Sequence, residues 1–193
     1  MNVVRDIIVI GAPVGGAAAL IEVANALPAD LPASVLVVMH SETEKPILLA
    51  DALSAPRRMR ASEAIDGEPL EPSRIYVAAD GKHMRVERDR VRVKREPPEN
   101  ECCPSIDVLF RSAAETHQHR VVGVALLHID REGSSGLDAV RQHGGRTITH
   151  RNELMTEAPR HHDTGESLGD HHLELAQIAP RIVDYVYGKN GSD

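Results

Sequence analysis

Aromatic side chains are almost missing from this chain, which has no Trp, one Phe and three Tyr. A core of any size must therefore be assembled from Val, Leu, Ile and Ala. Cysteine is equally sparse: Cys102 and Cys103 are adjacent and have no partner elsewhere. Neighbouring cysteines cannot build a disulfide framework, so a reducing cytoplasm is the expected setting, and a lone pair lacks the second half of a zinc-ligand set. No apolar run approaches the roughly 18 residues that a membrane-spanning helix needs. The first strand pattern begins too close to Met1 to leave room for a signal peptide, so no membrane insertion is expected. Basic residues are outnumbered, 22 against 29 acidic ones, for a net charge of −7. That balance argues against nucleic acid as a partner, since phosphate backbones require clustered Lys and Arg. The basic residues between Arg85 and Arg95 alternate with Glu, Asp and Val and read as the solvated face of a hairpin.

What is present is an α/β pattern. The 193 residues suit one domain spanning 1–193 with a substantial core. Ile7 to Ile10 is a short apolar run ending at Gly11, as expected of a strand buried on both faces. Gly15 and Gly16 mark a turn, Ala17 to Ala26 has apolar residues at helical spacing, and Pro28 stops that helix. Ser34 to Met39 is a second buried strand ending at His40, and Ile47 to Leu53 a short helix. Arg74 to Ala78 reads as a strand, and the runs from Met84 and from Val91 alternate strictly around Asp89 and Arg90 as an antiparallel hairpin. Pro104 opens a helix reaching about His117, Val121 to His128 is a strand, and a helix follows Gly133 to about Gln142. Arg146 to His150 is the next strand, a helix is expected near Glu157 to His162, and Ala176 to Tyr187 closes as an amphipathic helix. Together these predict a single doubly wound, mostly parallel sheet flanked by helices, with one antiparallel β-hairpin.

Five separated segments, in order, carry a family resemblance: IGAPVGG at Ile10 to Gly16, LPADLPASVLVVMH at Leu27 to His40, DGEPLEPSRIYVAADGKH at Asp66 to His83, PSIDVLFRSAAE at Pro104 to Glu115, and VVGVALLHIDREGSSGL at Val121 to Leu137. Over nearly its whole length the chain resembles the catalytic domain of CheB-type protein-glutamate methylesterases. The resemblance implies an α/β domain that removes methyl esters from glutamates on chemoreceptors. A phosphorylatable receiver domain usually precedes it; none is found in these residues, so regulation is expected from a separate partner.

The family's chemistry uses a Ser-His-Asp set, in which a hydroxyl attacks, an imidazole takes its proton and an acid orients the imidazole. The family serine lies in a pattern like GASTGG, and here that position is Pro13, with Val14 replacing the neighbouring threonine. Proline has neither a nucleophilic atom nor a backbone N–H. His40 stands where the family carries its general base. The acid belongs to a pattern like TGMGDDG, which aligns with Leu127 to Gly133 and puts Glu132 in the aspartate's place. A glutamate serves in such sets, although its extra methylene moves the carboxylate outward.

Ser41, Ser134 and Ser135 are the available hydroxyls nearby; Ser134 and Ser135 read as helix caps rather than as relocated nucleophiles. His40, His128, Asp130 and Glu132 fall near the carboxyl ends of adjacent strands and are weak candidates for divalent-metal ligands. A histidine-rich tail (His161, His162, His171, His172, with Asp163 and Asp170) offers further imidazoles that read as surface residues. The glycines of the first turn do not have dinucleotide spacing, and neither a metal nor another cofactor is expected. The sequence therefore points to a catalytically inactive CheB-like binding or regulatory module, with a chemoreceptor or another chemosensory protein as partner. The alternative is an active methylesterase, or a metal-assisted hydrolase, using a displaced nucleophile.

Overall fold

The computed structural model describes residues 4–40, 46–54, 58–127, 132–152, 157, 159–160 and 165–188. Among them, nine strands and five helices run in the order β1 (Ile7–Ala12), α1 (Ala17–Ala26), β2 (Ser34–Met39), α2 (Pro46–Leu53), β3 (Arg60–Glu63), β4 (Arg74–Val77), β5 (His83–Glu87), β6 (Arg90–Lys94), α3 (Ile106–His117), β7 (Val121–Ala125), α4 (Ser134–Gln142), β8 (Arg146–His150), β9 (His171–Leu173) and α5 (Leu175–Val186). Seven strands form one sheet in the order β3-β4-β2-β1-β7-β8-β9. Every pairing in it is parallel. The remaining two, β5 and β6, make a separate antiparallel pair.

The strand sequences explain why the sheet is covered on both sides. Along β1, Ile8, Ile10 and Ala12 enter one core while Ile7 and Val9 enter the other. β2 repeats this, with Val35 and Val37 on the first face and Leu36 and Val38 on the second. Side chains alternate across a strand, so a run of consecutive β-branched residues must bury both faces. The first face is closed by Leu20 and Val23 of α1, Leu49 and Leu53 of α2, and Ile178 and Ile182 of α5. The second is closed by Leu109 and Phe110 of α3, Leu137 and Val140 of α4, and Val86 and Val91 of the hairpin. The doubly wound α/β architecture expected from the sequence is thus present, with the hairpin as its antiparallel addition.

Several boundaries moved and two strands are new. β4 stops at Val77 and β7 at Ala125, while His128 lies outside the described residues. The helix expected near Glu157 to His162 is not formed at its described positions: Arg160 instead makes an isolated antiparallel bridge to Ser167, and Arg160 Nη1 donates to the Gly165 carbonyl at 3.0 Å. β3 and β9 have weak apolar patterns because both lie at sheet edges, where only one neighbour and little burial act on them. The expected serine cap of α4 is also replaced. Gly133, at φ 98°, is the N-cap, and its N–H and that of Gly136 donate to Asp107 Oδ1 at 3.0 and 2.5 Å. A left-handed residue at the cap position favours glycine over serine.

Among the described residues, no helix is long and apolar enough to cross a membrane.

Candidate functional site

The strand order reverses direction at β1: β2 and β4 lie to one side of it, β7 and β8 to the other. Open α/β sheets place their ligands at the carboxyl ends of strands beside such a reversal. Four pieces of chain meet there: the turn after β1, the end of β2, the connector that precedes α3, and the residues just before α4.

The first turn is tight and chemically quiet. Pro13 accepts the Gly16 N–H at 2.9 Å through its carbonyl, Gly15 takes φ 85°, and Val14 is exposed. Gly11, at the end of β1, has a different purpose. A Cβ there would sit 2.5 Å from Ile106 Cγ2, so glycine is what allows the start of α3 to approach the central strand. That approach brings the connector over the carboxyl end of the sheet.

The connector, residues 96–105, is pinned at several points. Buried His83 has one ring nitrogen 3.0 Å from the Pro97 carbonyl, to which it donates, and the other accepts the Ser105 N–H at 3.2 Å. Arg111 of α3 donates to both Glu99 oxygens at 2.7 and 2.8 Å. Glu99 and Cys102 exchange backbone hydrogen bonds of 3.1 and 2.9 Å, closing a turn whose central residues Asn100 and Glu101 have φ of 51° and 66°. Turns of the I′ kind require positive φ at both central positions. This fold-back presents Cys102 to the end of β2.

His40 meets it there. Its backbone N–H donates to Ala12 at 2.9 Å, continuing the pairing of β2 with β1. Its Nε2 lies 3.1 Å from the Pro104 carbonyl, and its Nδ1 lies 4.0 Å from Cys102 Sγ. A carbonyl oxygen only accepts, so Nε2 must carry the hydrogen. With a single ring hydrogen on Nε2, the lone pair of Nδ1 faces the sulfur.

Glu132 completes the group from the opposite side. Its Oε1 accepts the N–H of Ile106 and, at 3.3 Å, that of Asp107, which are the first two residues of α3. Asn100 Nδ2 lies 3.4 Å from the other oxygen. Carboxylates are favoured at helix N-termini, where unpaired N–H groups and the helix dipole point outward. Among the described residues no hydrogen bond joins Glu132 to His40, but a donor atom from each of His40, Cys102 and Glu132 lies within 4.8 Å of the others.

The surroundings are acidic. Burial pushes the Cys102 thiol up, and the carboxylates of Glu132, Glu101 and Asp107 push it further. Burial raises the Asp107 carboxyl to about 6, the N–H groups of Gly136 and Gly133 opposing the rise and Glu132 adding to it. Beside the group, a cavity of about 200 Å³ opens between Val14, Met39 and His40 on one side and Cys102, Cys103 and Pro104 on the other.

The structure thus brings His40 and Glu132 to one place, with Pro13 in the adjoining turn. His128, Asp130 and Ser41 lie outside the described residues, as do His161, His162 and Asp163. The imidazoles of β9 belong elsewhere. His172 Nδ1 pairs with Thr149 Oγ1 at 3.0 Å, and the His171 ring packs on Tyr185 with centroids 5.9 Å apart. β9 is four strands from β2, about 19 Å at the usual strand spacing. Sequence reasoning set the Cys102–Cys103 pair aside as half of a ligand set and did not place Cys102 beside His40 and Glu132. The available signal was its position just ahead of the proline-serine start of α3, which folding carries to the carboxyl end of the sheet.

The family model described as CheB methylesterase matches residues 8–182. A Myxococcus xanthus protein named protein-glutamate methylesterase/protein-glutamine glutaminase 5 is 34% identical over 149 residues, covering 75% of this chain and 43% of that protein. A Methanosarcina mazei protein of the same name, numbered 2, is 31% identical over 195 aligned positions, covering 95% of this chain and 52% of its own length. The chain spans about half the length of the curated relatives it matches. The crystal structure of the Thermotoga maritima CheB methylesterase catalytic domain superposes with a TM-score of 0.79 at 23% identity, covering 94% of this chain and 99% of that one, a likeness of fold. With the family model matched over most of its length, and relatives more than 30% identical, this chain belongs to the CheB methylesterase family.

Proposed function

We propose that this chain is a CheB-family domain that binds a chemosensory partner without hydrolysing esters by the serine route. The carrying observation is Pro13. At the position the family resemblance gives to the nucleophile, the side chain has no hydroxyl, no thiol and no proton to transfer, and the residue has no N–H to offer an oxyanion. Loss of a triad nucleophile typically costs on the order of 10⁶ in kcat. Glu132 supports the same reading, because its carboxylate is held by the first N–H groups of α3 and makes no hydrogen bond to His40.

The relatives' names identify their substrates as protein glutamate and glutamine side chains. The partner surface proposed here is accordingly a chemoreceptor segment carrying such side chains, received at the cavity between His40 and the connector. Regulation comes from another protein or from segments outside these residues.

The test is methanol release from receptor carrying glutamyl methyl esters, measured alongside receptor binding. The expected result is binding with release at background for the natural chain. The Pro13→Ser variant is expected to stay near background as well, since the acid is still turned to α3. Release with turnover by the natural chain would overturn the reading.

A further inference from the structure

We infer that His40, Cys102 and Glu132 form a binding site for one divalent transition metal of the zinc class. The chemistry of the donor set comes first. A thiolate, an imidazole nitrogen and a carboxylate oxygen are the three ligand types that zinc takes, and two anionic donors with one neutral one balance a dication. Sulfur excludes calcium and magnesium as preferred occupants, because those ions select oxygen.

The geometry is close to what such an ion requires. A representative donor atom of each residue lies within 4.8 Å of the other two. Metal–ligand bonds of about 2.0–2.3 Å imply donor separations of about 3.3–3.8 Å in a tetrahedron, so the side chains close by about 1 Å. Cys102 sits in a turn and Glu132 has three side-chain torsions, so that closure needs no movement of the sheet.

The second observation concerns what holds the three ligands. His40 gives its Nε2 hydrogen to the Pro104 carbonyl and turns Nδ1 toward the sulfur, where it can serve as a ligand atom. Metal-bound histidines almost always donate their other ring N–H to a carbonyl or carboxylate, which sets the tautomer and orients the ring. Glu132 is held by the N–H groups of Ile106 and Asp107 and approached by the Asn100 amide. Both ligands are thus oriented before any ion arrives.

The same contacts disfavour a cysteine–histidine nucleophile as the use of this group. Burial, and then the negative charges of Glu132, Glu101 and Asp107, oppose a free thiolate at Cys102. The N–H groups of Ile106 and Asp107, which would otherwise serve a developing oxyanion, are occupied by Glu132. A dication reverses that electrostatic logic. On binding, the Cys102 S–H bond breaks, the proton leaves to solvent and the sulfur pair binds the metal. Three protein donors leave a fourth position open, as in zinc sites that bind water or an anionic group, and the 200 Å³ cavity shares His40 and Cys102 with the site.

The test uses Co²⁺ as an absorbing substitute for zinc, added to the full chain prepared in chelator-treated buffer with a thiol-free reductant. One cobalt per chain is expected, with a sulfur-to-cobalt charge-transfer band and the intense visible bands of four-coordination, both removed by Zn²⁺. Cys102→Ser should abolish the charge-transfer band, Cys103→Ser should keep it, and Glu132→Gln should weaken binding at least about tenfold. Cobalt held only by surface histidines would show no thiolate band, and that result would overturn the site. So would a band that survives Cys102→Ser or follows Cys103 instead. A measurement on the unmodified chain guards against misfolded variants: Zn²⁺ should slow alkylation of Cys102 and leave Cys103 reactive, and equal rates would again overturn it. Metal binding does not depend on whether the domain hydrolyses esters, so the cobalt spectrum and the methanol assay can fail separately.

Discussion

The turn after β1 and the connector before α3 face each other across the carboxyl end of one sheet, yet they differ in chemical content. The turn, Pro13 to Gly16, contains no side-chain donor or acceptor and closes on itself by one backbone hydrogen bond of 2.9 Å. The connector and the residues before α4 hold two thiols, carboxylates and an amide, and the connector meets the imidazole of His40 through the Pro104 carbonyl and Cys102. Where the family resemblance places the nucleophile, this chain keeps only backbone shape; the polar groups have collected opposite. Loss of side-chain chemistry is therefore expected to cost little in a turn whose conformation is set by glycine and proline, and more at groups that satisfy helix ends.

That contrast is tested most severely at Asp107. Its carboxylate receives two N–H groups at the start of α4, so Asp107→Ala should cost about 2–4 kcal/mol, as unpaired buried donors do. The check is a shift in the urea midpoint with an unchanged slope. Glu132→Ala removes the acceptor of the first α3 N–H groups at a partly buried position and should cost about 1–2 kcal/mol by the same measurement. Pro13→Ser, in the quiet turn, should change stability by less than about 1 kcal/mol, the scale of a proline's effect on the unfolded chain. Equal losses at Pro13 and Glu132 would erase the distinction between the two regions.

A pH experiment probes the histidines buried away from the site. Burial lowers the proton affinity of His117, with Arg120 adding to it, and of His150, with His172 adding to it. Their ordinary value is 6.5, so on acidification the unfolded chain binds protons before the folded one does. Their contribution is present above pH 6.5 and is lost as pH falls from there through the depressed folded values. Asp107, raised to about 6 by burial, opposes them because its folded form takes up a proton first, and the two histidines together should still leave a net fall in melting temperature over that window. His117→Gln, which keeps a donor for the Arg88 carbonyl now 2.9 Å from Nε2, should flatten the decline. An unchanged slope would assign the acid loss to other groups.

The same division marks what was legible in the sequence. The runs at Ile7–Ile10 and Ser34–Met39, the alternating hairpin and the helix after Pro104 were readable because burial of both faces, or of one, dictates the period of the apolar residues. β3 and β9 were not, because edge pairing acts through backbone groups that any side chain carries. That Pro13 stands at the position the resemblance gives to the nucleophile, His40 at that of the base and Glu132 at that of the aspartate was readable from motif order alone. The gathering of Cys102 with His40 was not, since 62 positions separate them and no local pattern encodes the contact.

By itself, then, the sequence determined the layers of the fold and the chemical poverty of the first turn, because periodicity and residue type act locally. Tertiary structure decided which nitrogen of His40 donates to Pro104, that Glu132 accepts the first N–H groups of α3, and that a cysteine from the connector joins them. Those outcomes depend on Gly11 admitting Ile106 to the central strand and on distant backbone carbonyls and N–H groups finding partners once the helices are packed.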